Sequence, residues 1–318
     1  MNNLNLLDKP LYDREKVIIL KISEDDIEGM LMNYSLSDDG SYEYVLNAFI
    51  DNVMKYLPEY ALGYNTAGVS FDEMVKTLRE AARTAIKIKD VDTIKKYFEE
   101  NIPEDKWDKS ILKAYKNKGI FSEIILHFIL KEFKGTRPLN SKIFFKDSPG
   151  VEAHGFDAVH VKDDILWLGE TKFYSDGKAG IDELIKDLHK HFNTDYLAQQ
   201  FIVVKRMILD TDPEREKWLL KLNEAKHLSD IFSMIIVPLL CIYEDTITQD
   251  IISKIQEDIP AADIIYLEHI SKMKEYFDKK NDYANKNNLK SILMLLPVES
   301  KAKIVTKILE KIYHMQNM

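Results

Sequence analysis

The sequence predicts a mixed α/β protein, one sheet covered by helices, with a helical region on its N-terminal side. Short apolar runs of strand length alternate with stretches whose apolar residues recur at helical spacing. In the middle of the chain the order is helix, strands, helix, strand, the grammar of a sheet with helices laid on it. The composition supplies the core, since 45% of residues are hydrophobic and 10% aromatic.

Along the chain, a short strand at 17–22 precedes a mostly helical first hundred residues. Residues 42–57 have helical spacing and stop before Pro58, and a second helix fits 71–88 after a Ser70 cap. Residues 110–133 read as a helix restarted near Gly119. Lys131 and Lys134 occupy its last turn, and Gly135 is its stop. A strand follows at 142–146, then the turn-rich Asp147-Ser-Pro-Gly150, then paired strands at 155–161 and 165–173. After Ser175-Asp-Gly-Lys178 comes a helix with Ile181, Leu184, Ile185, Leu188 and Phe192 on one face. The last third reads as strands at 201–208 and 233–243, helices at 248–259 and 263–279, a late strand at 291–298 and a final helix at 301–313. Repeats, low-complexity tracts and Pro/Gly/Ser-rich linkers are absent. At 318 residues the chain exceeds the usual single-domain size. The division expected is a scaffold or partner-facing region over 1–108 and a core over 109–318, with one continuous domain as the other option.

The chemistry concentrates in the paired strands. A symmetric hairpin around Lys162-Asp-Asp-Ile165 sets Val161 opposite Leu166 and therefore Asp157 opposite Glu170. Side chains so paired have Cβ atoms about 4.5–5.5 Å apart. Lys172, two residues beyond Glu170, emerges on the same sheet face. Two carboxylates about 5 Å apart repel by roughly 3 kcal/mol at an effective dielectric near 20. Lys172 offsets one charge and a divalent cation offsets both; oxygen ligands suit Mg²⁺ or Mn²⁺ better than zinc. The competing reading is a surface salt bridge on an exposed hairpin. Against it stands the strand itself, apolar through Leu166, Trp167 and Leu168, at whose end acid and base groups are expensive to bury.

The segment Gly155-Phe-Asp-Ala-Val-His160 followed by Trp167-Leu-Gly-Glu-Thr-Lys172 resembles the PD-(D/E)xK nuclease superfamily, although Phe156 stands where that motif has its proline. The resemblance implies a restriction-endonuclease-like core. In it Asp157 and Glu170, with the backbone carbonyl of Thr171, hold the metal, and Lys172 orients or activates the attacking water. It also implies a role for Glu123, a charge within the apolar Ile120-Phe-Ser-Glu-Ile-Ile-Leu126, in the metal shell through water; the other reading places Glu123 on a solvated helix stripe. Tyr56-Leu-Pro-Glu-Tyr-Ala61, Gly119-Ile-Phe-Ser-Glu123, Lys142-Ile-Phe-Phe-Lys146 and Leu168-Gly-Glu-Thr-Lys-Phe-Tyr-Ser-Asp-Gly-Lys178 occur in that order with the motif. Together they resemble the HamA family, nuclease subunits of the Hachiman anti-phage defence system. That resemblance implies a helicase subunit, HamB, as partner, DNA as target, and cutting with little sequence specificity once the nuclease is released. The alternatives are a sequence-specific restriction or repair nuclease and a catalytically silent nuclease-fold subunit of a helicase complex.

Other features carry less. A net charge of −9 gives no global attraction to phosphate, so DNA must be held by a local basic patch, a metal or a partner. Lys178, near a helix N-terminus, and Lys142 and Lys146, which share strand parity, are the candidate DNA contacts; ordinary edge-strand lysines are the other reading of the last two. His160 has the opposite parity from Asp157 and reads as a packed, hydrogen-bonded histidine, His154 as a residue ahead of the strand that could touch substrate, and His189 and His191 as a solvated helix face, with phosphate contact by that basic flank as the other reading. Cys241 in an apolar strand reads as a packed thiol. Without a signal-peptide pattern or an apolar run of bilayer length, the expected compartment is the cytoplasm.

Overall fold

The computed structural model describes residues 17–63, 70–86, 88–100, 102–116, 119–139, 155–208, 214–224 and 228–318. The first strands are β1 (Ile18–Ser23), β2 (Ile27–Met32), β3 (Tyr34–Leu36) and β4 (Tyr42–Tyr44). A helical stretch follows: α1 (Leu46–Lys55), α2 (Leu57–Leu62), α3 (Phe71–Ala85), α4 (Ile88–Glu99) and α5 (Lys109–Lys116). Next come α6 (Ile120–Lys134), β5 (Arg137–Pro138), β6 (Ala158–Lys162) and β7 (Ile165–Tyr174). Four helices, α7 (Gly177–His191), α8 (Thr194–Met207), α9 (Arg215–Glu224) and α10 (Leu228–Ser233), separate β7 from β8 (Ile235–Glu244). Then α11 (Ile247–Ile255) and α12 (Ile259–Lys280) lead to β9 (Lys290–Val298) and α13 (Lys301–Gln316).

Among the described residues, seven strands form one sheet in the order β1-β2-β9-β8-β7-β6-β5, and β3 with β4 form a small second sheet. The middle strands β2, β9, β8 and β7 run parallel, while β1 and the β6–β5 side are antiparallel. Parallel strands are stable when both faces are covered, and they read as nearly continuous apolar runs. β8 is such a run, Ile-Ile-Val-Pro-Leu-Leu-Cys-Ile-Tyr-Glu, nearly all of it buried. One core lies between the sheet and α7, α8 and α12; it takes Leu166 and Leu168 from β7. The other lies against α1, α6 and α13 and takes Trp167 and Phe173. Alternate side chains of one strand thus serve two cores.

Local chemistry accounts for the helix ends that flank the site. Gly135 closes α6 in the left-handed region at φ 62°. Asp176 caps α7 by accepting from the Ala179 amide at 2.7 Å. Farther off, Ser70 and Glu73 form a reciprocal capping box on α3.

Several expectations need correction. Residues 201–208 are not a strand but the last turns of α8 and its C-cap, Ile208. Leu197, Phe201 and Val204 of the helix and the capping Ile208 are buried apolar residues, and their three- and four-residue spacing overrides the β-propensity of Ile202, Val203 and Val204. Residues 42–57 begin as β4 before turning into α1, and α2 continues through Pro58, which sits at the start of that helix where a missing N–H costs nothing. The first hundred residues also hold β2, which the sequence does not announce. Its Ile-Glu-Gly-Met-Leu-Met is a poor strand on propensity alone; pairing with Leu293–Leu295 of β9 makes it one. Through that pairing β1 and β2 extend the same sheet that carries β6 and β7. The strand expected at 142–146, and with it Lys142, Lys146 and His154, lies outside the described residues.

Candidate active site

The β6–β7 hairpin has the expected register. Lys162 pairs with Ile165, Val161 with Leu166 and Ala158 with Gly169. The loop is therefore the two residues Asp163 and Asp164, both at positive φ (49° and 66°), as a type I′ turn requires. One step beyond the last ladder pair, Asp157 stands opposite Glu170. Its Oδ2 accepts from the Thr171 amide at 3.0 Å, so the carboxylate takes over where strand pairing stops.

Glu170 and Lys172 lie within β7, flanked by β6 and by β8, where their partners are Leu239 and Cys241. Glu170 is only 2% exposed. Its Oε1 meets Nδ1 of His191 at 2.7 Å, and Lys172 Nζ meets Asp187 Oδ2 at 2.5 Å. Asp187 and His191 are one turn apart on α7, so a single helix face supplies a partner to each charged residue of the strand. Burial, the largest influence on Lys172, disfavours its charge. The hydrogen bond and charge of Asp187, with the charges of Asp157 and Glu170, outweigh it and hold the ammonium above its usual pKa. The strand residues Glu170 and Lys172 and the preceding Asp157 therefore converge, as hairpin geometry requires.

An aromatic wall fixes His191. Its ring stacks on Tyr196 (centroids 4.6 Å, 18°) and meets Phe156 edge-on at 6.2 Å. Phe156 is thus part of that wall, 3% exposed, and also packs on Phe192.

Glu123 reaches the same end of the sheet from the opposite face. The Tyr60 hydroxyl of α2 donates to Glu123 Oε2. Burial first, then the charge and hydrogen bond of Glu123 and the charge of Asp157, raise the Tyr60 pKa well above its ordinary value. One phenol thus senses both carboxylates. At its other end α6 meets the hairpin turn, where Lys162 donates to the Lys134 carbonyl at 2.7 Å. Close packing sets this orientation: a Cβ on Gly169 would stand 2.8 Å from Leu126 of α6.

Glu170, Asp187 and His191 offer ligand atoms that all lie within 4.8 Å of one another, a donor set that fits a divalent cation. Asp187 is absent from the sequence reading, and the solvated face expected for His191 is corrected: the residue is 8% exposed. Its position continues the buried stripe Leu184, Leu188 by three residues, and Asp187 stands four before it; that spacing was the available signal.

The remaining residues lie elsewhere. Lys178 is nine residues before Asp187, about 14 Å along α7, with its ammonium over the Tyr276 ring at 5.4 Å. His160 is packed on the α6 face, with Nδ1 2.8 Å from Thr136 Oγ1 and Nε2 3.0 Å from His127. His189 faces solvent beside Asp282. Cys241 is fully buried, and burial holds its thiol far above the ordinary range.

The structure thus defines a mixed α/β protein with carboxylates, a lysine and a histidine gathered at one end of its β6–β7 hairpin. A family model described as HamA matches residues 12–312, and the chain belongs to the HamA family. That membership associates it with anti-phage defence and implies a partner from the Hachiman system. Neither curated proteins nor solved structures gave a match. Among the described residues, no helix is long and apolar enough to cross a membrane.

Proposed function

We propose that this chain is a metal-dependent deoxyribonuclease with a PD-(D/E)xK core, the DNA-cutting effector of a Hachiman system. The observation that carries this reading is the juxtaposition of Asp157, Glu170 and Lys172 at the end of the β6–β7 hairpin. The order α6, β5, β6, β7, then α7 to α10 before β8, with β7 and β8 parallel, supports it.

Asp157 and Glu170, with the Thr171 carbonyl, are the proposed ligands of Mg²⁺ or Mn²⁺, and Glu123 would join their shell through water. Such an ion, when bound, supplies polarisation of a phosphoryl oxygen and a more acidic water. The Asp157–Thr171 hydrogen bond orients one carboxylate and His191 orients the other. Lys172, held protonated by its acidic neighbours, places the attacking water and stabilises charge that develops on phosphate. An ammonium in this state is a poor general base, so the lysine's role is positioning and electrostatic. The partner expected from the family resemblance is a helicase subunit, HamB-like, that restrains the nuclease until DNA engages it. Its cytoplasmic setting is part of the same reading.

The test is plasmid cleavage by the purified chain with Mg²⁺, alone and with the helicase subunit and ATP. Wild type is expected to cut and Lys172→Ala to lose at least about 100-fold of that rate. Equal cutting by the variant would sink the assigned mechanism. Silence of wild type with metal, partner and ATP all present would end the nuclease assignment.

A further inference from the structure

We propose that Glu170, Asp187 and His191 form a divalent-cation site of their own, which shares Glu170 with the Asp157 side and favours Mn²⁺ over Mg²⁺. The inference deepens the proposed nuclease reading, because the shared carboxylate would place two ions side by side. It rests on residues that the nuclease motif does not contain, both of them on α7.

The three ligand atoms lie within 4.8 Å of one another. At metal–ligand distances near 2.1 Å, ligands at right angles stand about 3.0 Å apart and opposed ligands about 4.2 Å. The Glu170–His191 contact of 2.7 Å therefore opens by about 0.3 Å, and the widest pair, set as opposed ligands, closes by no more than about 0.6 Å. The cation takes the place of the proton between Glu170 and His191, and that proton leaves to solvent. Asp187 has two oxygens, so it can hold the ion with one and keep Lys172 with the other.

The surroundings prepare the site. Glu170 and His191 are both more than nine-tenths buried, and Tyr196 and Phe156 fix the imidazole plane. Asp157, Glu170 and Asp187 all act on Lys172, so three carboxylates gather round that ammonium. A divalent charge relieves their mutual repulsion. One imidazole among carboxylates suits Mn²⁺, which accepts nitrogen ligands more readily than the harder Mg²⁺.

Mn²⁺ itself is the probe, followed by electron paramagnetic resonance of the full chain. Wild type is expected to bind Mn²⁺ with nitrogen coupling from an imidazole. His191→Gln keeps a side-chain donor for Glu170 but removes the ring nitrogen. It should abolish that coupling and weaken binding at least about tenfold. Asp187→Asn should weaken binding and retain the coupling, and this variant serves if His191→Gln does not fold. Asp157→Asn should lose DNA cutting yet keep nitrogen-coupled Mn²⁺. Absence of coupling in wild type, its persistence in His191→Gln, or unchanged affinity in both α7 variants overturns the site while leaving the nuclease reading intact. Coupled Mn²⁺ in a chain that cuts nothing even with the helicase subunit and ATP present supports the site and removes the nuclease reading.

Discussion

His160 and His191 show how parity and periodicity decide the fate of similar residues. His160 alternates away from Asp157 along β6, and it is packed as strand parity requires. With Thr136 Oγ1 donating to the Leu130 carbonyl, His160 Nδ1 must donate to Thr136, and Nε2 faces His127. His127 in turn meets Glu59 Oε2 at 3.1 Å. Burial drives the pKa of His160 well below 6.5, and burial also lowers that of His127 despite Glu59. A histidine held neutral in the fold costs stability as pH falls below 6.5, because the unfolded chain takes up a proton that the folded chain refuses. Between pH 7.5 and 5.5 such a group removes about 1.4 kcal/mol. Urea unfolding of wild type should show the loss, and His160→Gln should have a pH slope smaller by that amount. An unchanged slope would mean that His160 takes its proton inside the fold.

At the scale of elements, the placement of α7 on the sheet decides which of its residues face the β7 charges. The helix can approach because Gly177 and Gly180 face β8: an added Cβ at Gly180 would lie 2.6 Å from Cys241 Sγ. Gly180→Ala should therefore destabilise the protein by about 1–3 kcal/mol through overpacking. Cys241→Ala alone costs a small cavity. In the double variant the new methyl occupies the space left by sulfur, so the two effects should fall short of their sum by about 1 kcal/mol or more in a double-mutant cycle. Strict additivity would show that the helix moves instead of compressing. β2 teaches a related lesson from the other side of the sheet. Gly29 lets Tyr266 of α12 come within 3.1 Å of where a Cβ would stand, and the Tyr266 hydroxyl donates to the Met30 carbonyl. A glycine that looks like a strand breaker in the sequence is thus a contact point for a covering helix.

For the whole molecule, charge sets the terms on which the proposed nuclease would meet DNA. The chain carries 53 acidic and 44 basic side chains, and its candidate site is itself acidic. Phosphate contacts with a basic surface supply most sequence-independent affinity. The isolated chain without divalent ions should therefore bind duplex DNA only weakly, with a dissociation constant above about 10 μM at physiological salt. Fluorescence anisotropy across a salt series measures this, and tight binding with a steep salt slope would contradict it. On the proposed reading, Mg²⁺ or the proposed helicase partner should strengthen the binding.

Much of the site was legible in the sequence because it is built by local rules. A two-residue turn and period-two alternation suffice to set Asp157 opposite Glu170 and to put Lys172 beside them; both rules act within about fifteen residues and need no packing. The stop of α6 at Gly135 and the stripe of α7 are local in the same sense. What only the tertiary structure decided is non-local. α7 had to settle on β7 and β8 before Asp187 could meet Lys172 and His191 could meet Glu170. Likewise α2 had to dock on α6 before Tyr60 could hold Glu123 at the Asp157 end. The conversion of 201–208 into helix, and of Ile27–Met32 into an inner strand, came from burial and from pairing with β9. Propensity differences of a few tenths of a kcal/mol per residue yield to such contacts, which bury whole side chains.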